Sequence, residues 1–291
     1  MTTKHHGLNF IYCLIFPPIY LLGMLPYLIV NALVGRPLFF LSYTIFRYRY
    51  SVVLQNLSRA LPLKSYLEIE LLAKEFYLHL ASMIVEIIRL FSISSHQQLK
   101  QVKLINPEVL EEYFKGGRNV IAVLGHYGNW ECLNVLPLLL PFQVNAIYKP
   151  LSNPVMAKLV TRVRCRYGMQ LIPAKHALRH LLRQTRQPQF SLFIADQFPG
   201  KQAKCQVDFL HQPTLMFNGA EKLARATNAV VVYLDMIPQD RCCWKISLSL
   251  ITDTASTTTE NLITHTFSSK LEQTIERHPA YWLWSHRRWK A

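Results

Sequence analysis

The chain has 291 residues, of which 51% are hydrophobic and 17% are charged, and this length allows one large domain or two small ones. Its 32 Lys and Arg residues outnumber the 17 Asp and Glu residues, and the formal charge of +15 favours an anionic partner: nucleic acid, an anionic membrane face or an acidic protein. The six cysteines form no C-x-x-C pair, which excludes a zinc ribbon and argues against a disulfide framework in so apolar a chain. Reduced thiols facing a cytoplasm are therefore predicted.

The first feature in chain order is an uncharged, mostly apolar run over residues 8–34. Roughly 20 apolar residues suffice to cross a bilayer, and this run is too long for a signal-peptide core and ends in no convincing cleavage site. The sequence therefore predicts a retained N-terminal membrane-anchoring segment over residues 1–36. Pro17, Pro18 and Pro26 each remove a backbone donor, which leaves open a kinked span or a segment lying in the interface.

The charges around this run predict its orientation. Residues 1–67 contain no carboxylate, and the arginines after the run outnumber the single lysine before it. Because positive charge marks the cytoplasmic side of a membrane, the rest of the chain is predicted to be cytoplasmic. No helix-turn-helix, zinc-finger or RNA-binding signature is present, so anionic membrane lipids explain the charge better than nucleic acid, and no nucleic-acid partner is predicted.

Residues 37–291 are predicted to form a single α/β domain. Ser65 and Glu68 make a capping-box pattern at the start of a long amphipathic helix. Apolar strands then alternate with helices; strands are predicted over 119–124, 143–148, 190–195, 229–235 and 244–250, and helices over 129–139, 154–168, 175–186, 218–227 and 259–277. This alternation predicts a central, mostly parallel or mixed sheet flanked by helices.

The stretch VLGHYGNWE, residues 123–131, places a histidine just after a predicted strand. In one regular helix, His126 and Glu131 would diverge by about 140°. If Gly128 and Asn129 form the turn that starts the helix, with Asn129 as its N-cap, Glu131 can reach back to the imidazole. A carboxylate on one ring nitrogen fixes the tautomer and lets the other nitrogen act as a general base toward a hydroxyl.

By itself the H-x-x-x-x-E pattern is a weak indication of catalysis, and the alternatives are a metal site, a hydrolase or a reactive thiol. A zinc site is disfavoured because H-E-x-x-H and a nearby Cys/His cluster are absent, so no metal ligand is predicted. No G-x-S-x-G elbow, P-loop or G-x-G-x-x-G occurs either. Cys132 lies in an apolar stretch and is interpreted as a buried structural thiol rather than a nucleophile.

Four further stretches join the motif: FRYRYSVVLQNLSRALP (46–62), AIYKPLSNPVMAKLVTRVRCRYGMQLIP (146–173), the blocks of residues 193–233, and HPAYWLWSHRRWK (278–290). Together with GHYGNWE, they resemble the bacterial lipid A late acyltransferases, the lauroyl and myristoyl transferases of the H-x4-D/E acyltransferase group. The resemblance implies a glycerolipid-acyltransferase-like fold and transfer of a fatty acyl group from acyl-acyl carrier protein, or from acyl-CoA, to a hydroxyl of a lipid A precursor. It also implies that the protein acts at the cytoplasmic face of the cell inner membrane and that it uses no metal or organic cofactor.

The resemblance also assigns roles to residues of the first two blocks. His126 matches the catalytic base of the family motif, and Glu131 matches the carboxylate that partners this base. In the TRVRCRYG stretch, an arginine matches the second block, and Arg164 is favoured over Arg162 and Arg166, which are interpreted as a solvated or lipid-phosphate-binding face.

Asp196 matches the acidic residue of the third block. Many members carry D-x-D there, whereas this chain has Asp196-Gln197-Phe198, so a second acid is absent or moved. Attack on a thioester also requires a group that stabilises the developing oxyanion. Arg164 and the backbone amides near Asn129 are the candidates for that role.

The last block, residues 278–290, is predicted to be a closing helix whose tryptophans and basic residues lie at the lipid headgroups, pack on the core, or do both. Two alternatives to a lipid A acyltransferase stay open. One is the same chemistry on another glycolipid or aminolipid, and the other is a non-catalytic basic membrane adaptor.

Overall fold

A mostly parallel sheet flanked by helices forms the centre of the molecule, as the sequence predicts. The computed structural model of the chain describes residues 2–182, 187–200 and 203–289, with side chains from residue 11 onward. Seven strands pair in the order β1-β9-β8-β2-β5-β3-β4, and every pair is parallel except β8 with β9. The strands of this sheet are β1 (Val102–Leu104), β2 (Val120–Leu124), β3 (Gln143–Tyr148), β4 (Gln170–Pro173), β5 (Gln189–Ile194), β8 (Val230–Pro238) and β9 (Trp244–Thr252).

Helices cover both faces of the sheet and form the N-terminal part of the chain. The α-helices are α1 (Thr2–Met24), α2 (Tyr27–Val30), α3 (Arg36–Phe39), α4 (Tyr50–Ala60), α5 (Tyr66–Leu90), α6 (Ser95–Gln101), α7 (Glu108–Lys115), α8 (Leu136–Leu139), α9 (Pro154–Arg164), α10 (Ala177–Leu182), α11 (Gly219–Thr227) and α12 (Leu262–Arg277). Short π-helical stretches connect α2, α3 and the region after it, and a 3₁₀ helix over Trp130–Val135 precedes α8.

The local signals read from the sequence are confirmed over most of the described residues. The predicted helix over 129–139 instead begins as a 3₁₀ helix, and residues 183–186 of the predicted helix over 175–186 lie outside the described residues. Ser65 and Glu68 form the predicted capping box at the start of α5. The five predicted strands correspond to β2, β3, β5, β8 and β9. The short edge strands β1 and β4 were not predicted, nor was the hairpin of β6 (Gln206–Phe209) and β7 (Gln212–Leu215), because each is too short to show a periodic pattern.

The register of β2 and β5 positions the candidate site. Val120 lies opposite Phe190, and the pairing continues in step to Leu124 opposite Ile194. All five residues of β2 are buried, so this pair lies in the core. Two residues beyond each strand end stand His126 and Asp196, and the parallel register brings these two positions side by side.

The apolar N-terminal run forms two helical pieces separated at Pro26. Helix α1 continues through Pro17 and Pro18 and ends at Met24. The second piece, Tyr27–Ile45, is the one helical stretch of the described residues that is long and apolar enough to cross a membrane, and only 11% of it is buried. Only length and composition support a membrane span here. A membrane anchor over residues 1–36 and a separate domain over residues 37–291 therefore stay predictions.

The predicted closing helix over residues 278–290 is wrong. After α12 the chain makes one 3₁₀ turn, Pro279–Tyr281, and then runs irregularly beside the loop that carries His126. The Leu283 N–H donates to the His126 carbonyl at 3.1 Å, and the Gly128 N–H donates to the Tyr281 carbonyl at 3.0 Å. These backbone groups bond to another segment of the chain, so they are not available for a helix of their own.

Burial places two of the three tryptophans of this segment in the core, while Trp289 is half-buried. Trp282 and Trp284 are 3% and 0% exposed, so both pack on the core rather than at a surface. The Asn56 side chain donates to the Trp284 and His286 carbonyls at 2.8 and 2.9 Å, which ties the segment to α4. The closing segment is therefore fixed both to α4 and to the loop that carries His126.

Candidate active site

His126 is held by a buried carboxylate, and that carboxylate belongs to Asp196. The imidazole Nδ1 lies 2.5 Å from Asp196 Oδ1, and the His126 backbone N–H donates to Asp196 Oδ2 at 2.8 Å. The Trp282 indole N–H donates to the same Oδ2 at 2.8 Å. With Nδ1 protonated toward Asp196, Nε2 carries the lone pair that a general base needs.

Asp196 is ionised despite being only 2% exposed. Burial by itself raises the pKa of this carboxyl, but the charge and hydrogen bonds of His126, together with the Trp282 indole, outweigh burial and bring the pKa down to about 2. A buried carboxylate is therefore available at neutral pH to orient the imidazole and to stabilise an imidazolium.

The expected contact between Glu131 and His126 is absent from the described hydrogen bonds and ion pairs. Glu131 instead binds Arg164 through two bonds, Nε to Oε2 at 2.9 Å and Nη2 to Oε1 at 2.6 Å. The Trp130 indole N–H donates to Glu131 Oε1 at 3.1 Å, and its ring meets the imidazole edge-on at 4.8 Å between centroids. Because residues 130–135 form a 3₁₀ helix, Glu131 points to α9 rather than back to the imidazole.

The three arginines of the second block separate clearly in space. Arg164 is the one that reaches the motif, through Glu131. The Arg162 guanidinium lies over the Phe16 ring at 4.2 Å from its centroid, and Arg166 donates to the Leu90 carbonyl. Neither of these two contacts the motif, so the geometry favours Arg164 as the sequence resemblance did.

Asn129 occupies the N-cap position of the 3₁₀ helix but makes no capping hydrogen bond with its side chain. Its side chain is 1% exposed and donates to Glu86 Oε2 at 2.9 Å. Burial raises the pKa of Glu86, while the bond from Asn129 partly offsets that effect. The Asn129 side chain is thus turned away toward α5, and an oxyanion at this position would have to be bound by backbone amides.

Gln197 is a residue of the site that sequence reasoning missed. Its side-chain amide nitrogen lies 3.2 Å from His126 Nε2 and, in the tautomer described above, donates to it. The sequence of residues 196–198 departs from the D-x-D pattern. That departure predicts the loss of a second acid, but it does not predict a contact between Gln197 and the imidazole. Trp282 was missed as well, since nothing in its local sequence predicts a bond to Asp196.

A small apolar pocket of about 40 Å³ lies between the carboxyl ends of the central strands. Its polar lining residues are Glu131, Arg164 and Asn134, and Trp130 lies between the pocket and the imidazole. The apolar lining residues come mainly from the strands and from the segments next to them: Leu124, Leu133, Ala146, Ile147, Met169, Leu192 and Ile194. Open α/β sheets bind their ligands at this edge.

Neither a metal centre nor a reactive thiol is found near the imidazole within the described ranges. These residues contain no group of three His, Cys, Asp or Glu side chains that could hold a metal ion. Cys132 is buried, and burial raises the pKa of its thiol well above the ordinary value, which fits the structural role read from the sequence.

We expect Gly128→Ala to lower the free energy of unfolding by about 3 kcal/mol, since it combines left-handed strain with overpacking. Gly128 has a φ of +63°, and an added Cβ would lie 2.5 and 2.6 Å from two ring carbons of the buried Trp244. Gly117→Ala is the matched control, because its φ is +73° and nothing lies within 4 Å of the added Cβ. The control is expected to lose only about 1 kcal/mol. Denaturant unfolding of the full chain in detergent measures the free energy of unfolding of both variants. Equal losses in the two variants would rule out the steric effect at Gly128.

Comparison with known proteins agrees with the blocks seen in the sequence. Residues 5–291 match the family model described as bacterial lipid A biosynthesis acyltransferase. A lipid A biosynthesis acyltransferase of Haemophilus influenzae is 23% identical over 133 residues, which are 46% of this chain and 42% of that relative. The aligned part thus spans less than half the length of the curated relative. Because the family model covers nearly the whole chain, the protein belongs to the bacterial lipid A biosynthesis acyltransferase family.

Proposed function

We propose that this protein transfers a fatty acyl group from an acyl thioester to a hydroxyl of a lipid A precursor. The observation that carries the proposal is the His126–Asp196 pair beside an apolar pocket, in a chain of this family. Asp196 replaces Glu131 as the partner of the base, and Glu131 becomes a positioning residue bound to Arg164.

The proposed reaction is an addition followed by an elimination. His126 Nε2 takes the proton of the acceptor hydroxyl while the oxygen attacks the thioester carbonyl. The tetrahedral intermediate then breaks its C–S bond, and Nε2 returns the proton to the leaving sulfur as a thiol. Asp196 stays ionised throughout and stabilises the imidazolium. The Gln197 amide, which contacts Nε2 here, would be displaced by the acceptor hydroxyl.

Stabilisation of the oxyanion is assigned to the start of the 3₁₀ helix after Asn129. Backbone N–H groups at a helix start are unpaired within the helix and carry partial positive charge, as acyl transfer requires. Arg164 is engaged with Glu131 through Nε and Nη2, so its charge acts from the pocket wall rather than as a free donor. The acyl chain itself is assigned to the apolar pocket behind Trp130, whose walls would have to move apart for it, since the cavity of about 40 Å³ is smaller than a fatty acyl chain.

Location at the cytoplasmic face of the inner membrane is part of the proposal. The described N-terminal helices expose many large apolar side chains: Ile11, Leu14, Ile15, Leu21, Met24, Leu28, Ile29, Leu33, Phe40, Leu41 and Ile45. Such a surface favours contact with lipid. Cation–π contacts from Lys158 to Tyr12 and from Arg162 to Phe16 join α1 to α9, the helix that ends at Arg164. These contacts connect the apolar helix α1 to the helix that carries Arg164, one of the residues lining the pocket.

The proposed donor is acyl-acyl carrier protein, with acyl-CoA as the alternative thioester. The charge of +15 suits an acidic carrier protein, since complementary charge steers association. No metal or organic cofactor enters the proposed steps.

Acyl transfer by the full chain in membranes tests the proposal. Membranes that contain the wild-type chain are incubated with labelled acyl-acyl carrier protein and a tetra-acylated lipid A precursor, and the product is identified by mass spectrometry. Membranes with His126→Ala at equal abundance correct for background transferases. We expect the precursor to gain one acyl chain in an ester bond only with the wild-type chain.

Two further arms separate the thioester donor from the acceptor. Product formed from acyl-CoA but not from acyl-acyl carrier protein would keep the reaction and correct the donor. Acylation of another glycolipid or an aminolipid, with the lipid A precursor left unchanged, would overturn the acceptor. A folded wild-type chain that acylates none of these lipids would contradict the transferase itself and favour a membrane adaptor.

A further inference from the structure

A buried arginine outside the proposed catalytic pair lacks acceptors for most of its donors. Arg288 is 1% exposed. Its Nη2 donates to the Leu215 carbonyl at 2.6 Å and contacts the Met216 sulfur at 2.8 Å. Its Nε and Nη1 have no hydrogen-bond partner, and none of the ion pairs among the described residues involves it. Native structures rarely bury a guanidinium in this way unless an anion binds it.

The charge on this guanidinium persists at neutral pH. Burial lowers the pKa of Arg288 to about 10, and the negative charge of Asp196 acts in the opposite direction. Both Asp196 oxygens are already bonded to His126 and Trp282, so they give Arg288 a favourable field without a hydrogen bond.

Arg288 lines a pocket of about 530 Å³, whose other polar lining residues include Gln55, Thr214 and Trp289. Gln212 lines it and has a buried amide nitrogen with no partner. Arg59 of α4 contributes an exposed second cation, and none of the described residues that line the pocket is acidic. The unpaired N–H groups of Arg288 and Gln212 are buried just below the pocket surface, so an anion would meet them once these two side chains turn toward the pocket. Together with Arg59 they would then be complementary to an anion with several oxygens.

The pocket is structurally connected to the proposed catalytic loop. Phe198 lines the pocket two residues after Asp196, and its backbone N–H donates to His286 Nε2 at 3.3 Å. A ligand bound at Arg288 would thus lie against the same loop that holds the imidazole. One molecule could therefore present a reacting group to His126 and an anionic group to Arg288.

We infer that Arg288, with Gln212 and Arg59, forms a phosphate-binding site that positions a phosphorylated substrate against the His126–Asp196 pair. The fork of a guanidinium matches two phosphate oxygens, and Arg is preferred where such recognition is needed. Phosphate reaches an acyltransferase from two sources, a phosphorylated glycolipid acceptor or the phosphopantetheine arm of the thioester donor. The positioning role rests on the proposed function, whereas phosphate binding does not.

Binding by the purified full chain in detergent micelles tests the inference without any acyl transfer. Dissociation constants are measured for a tetra-acylated glucosamine disaccharide carrying its phosphates, for the same lipid after removal of the phosphates, and for 4′-phosphopantetheine against pantetheine. The phosphorylated member of one pair is expected to bind about tenfold more tightly than its phosphate-free counterpart, since charged hydrogen bonds are gained. The pair that shows this preference identifies the source of the phosphate.

Arg288→Gln is expected to abolish the preference. Arg287→Gln is the matched control, because it removes the same charge from an exposed neighbouring position, and it should keep the preference. Arg59→Gln, on the exposed face of α4, should weaken the preference several-fold without unfolding the chain, and it serves if Arg288→Gln does not fold. The inference is overturned if neither pair shows a preference, if Arg287→Gln and Arg288→Gln reduce it equally, or if Arg288→Gln fails to fold and Arg59→Gln leaves it unchanged.

These outcomes are independent of the proposed reaction. A chain that transfers acyl groups yet binds phosphorylated and phosphate-free ligands alike refutes the phosphate site and keeps the transferase. A chain that binds phosphate through Arg288 but transfers no acyl group keeps the phosphate site and refutes the transferase.

Discussion

Asp196→Asn is expected to lower kcat/KM for acyl transfer by about 10³-fold or more, although it replaces one oxygen by a nitrogen. The backbone N–H of His126 and the indole N–H of Trp282 both donate to Oδ2. The asparagine must therefore keep its oxygen at that position and turn its NH₂ group toward Nδ1. A donor at Nδ1 forces the ring proton onto Nε2, and the base loses its lone pair.

His126→Ala should have a similar effect, and the double variant should be no worse than either single one, because the two residues act as a unit. Kinetics of the purified chain measure all three, with thermal unfolding as the check on folding. Asp208→Asn is the control, since it removes an exposed carboxylate on β6. If Glu131→Gln abolished transfer while Asp196→Asn retained it, the assignment of Asp196 as the partner of the base would be refuted.

Breaking the Glu131–Arg164 pair is expected to cost about 3 kcal/mol of unfolding free energy in either single variant, Glu131→Gln or Arg164→Gln. The two side chains are 11% and 22% exposed, and their bidentate geometry leaves little room for water to replace the lost partner. Each single variant leaves one charge in the pocket wall without compensation. In the double variant two neutral amides can pair, so its loss should be smaller than the sum of the single losses.

The same variants should reduce kcat/KM by about 10²-fold through misplacement of the pocket wall and of Trp130, with Asp196 unaffected. The exposed pair of Lys115 and Glu111, with side chains 79% and 60% exposed, provides the control. Glu111→Gln should change stability by less than about 0.5 kcal/mol. Additive losses for Glu131 and Arg164 in urea unfolding would mean that the two charges do not stabilise each other.

These two predictions assign different tasks to two carboxylates that the linear motif does not distinguish. Asp196 acts on the tautomer of the imidazole, so its replacement should affect the rate and not primarily the stability. Glu131 acts on a cation in the wall of the pocket, so its replacement should affect stability first. Measuring both quantities for both variants therefore separates the roles.

Much of the fold could be predicted from local sequence because its signals are local. The capping box at Ser65 and Glu68 and the apolar runs that became β2, β3, β5, β8 and β9 depend on neighbours a few residues apart. The family was likewise indicated by blocks spread over nearly the whole chain, and the match over residues 5–291 confirms it. His126 and Asp196 could each be placed after a strand for the same reason.

Which carboxylate meets the imidazole was decided by the tertiary structure. The parallel register of β2 and β5 puts residues 126 and 196 side by side, although they are 70 positions apart in the chain. Glu131, only five positions away, is turned to Arg164 by the 3₁₀ helix. Sequence distance did not predict contact here, since strand pairing and helix geometry set the directions of these side chains.

Tertiary structure also decided the surroundings of the closing segment at the other end of the chain. Its aromatic and basic composition was equally compatible with a headgroup surface and with the core. Only the fold shows that Trp282 supports Asp196, and that Arg288 is buried with unpaired donors beside a pocket. By itself the sequence determined the five longest strands, several helix starts, the family and the two strand-end residues, because those depend on short-range patterns. The partners of each side chain were decided by long-range packing, which is a property of the folded chain.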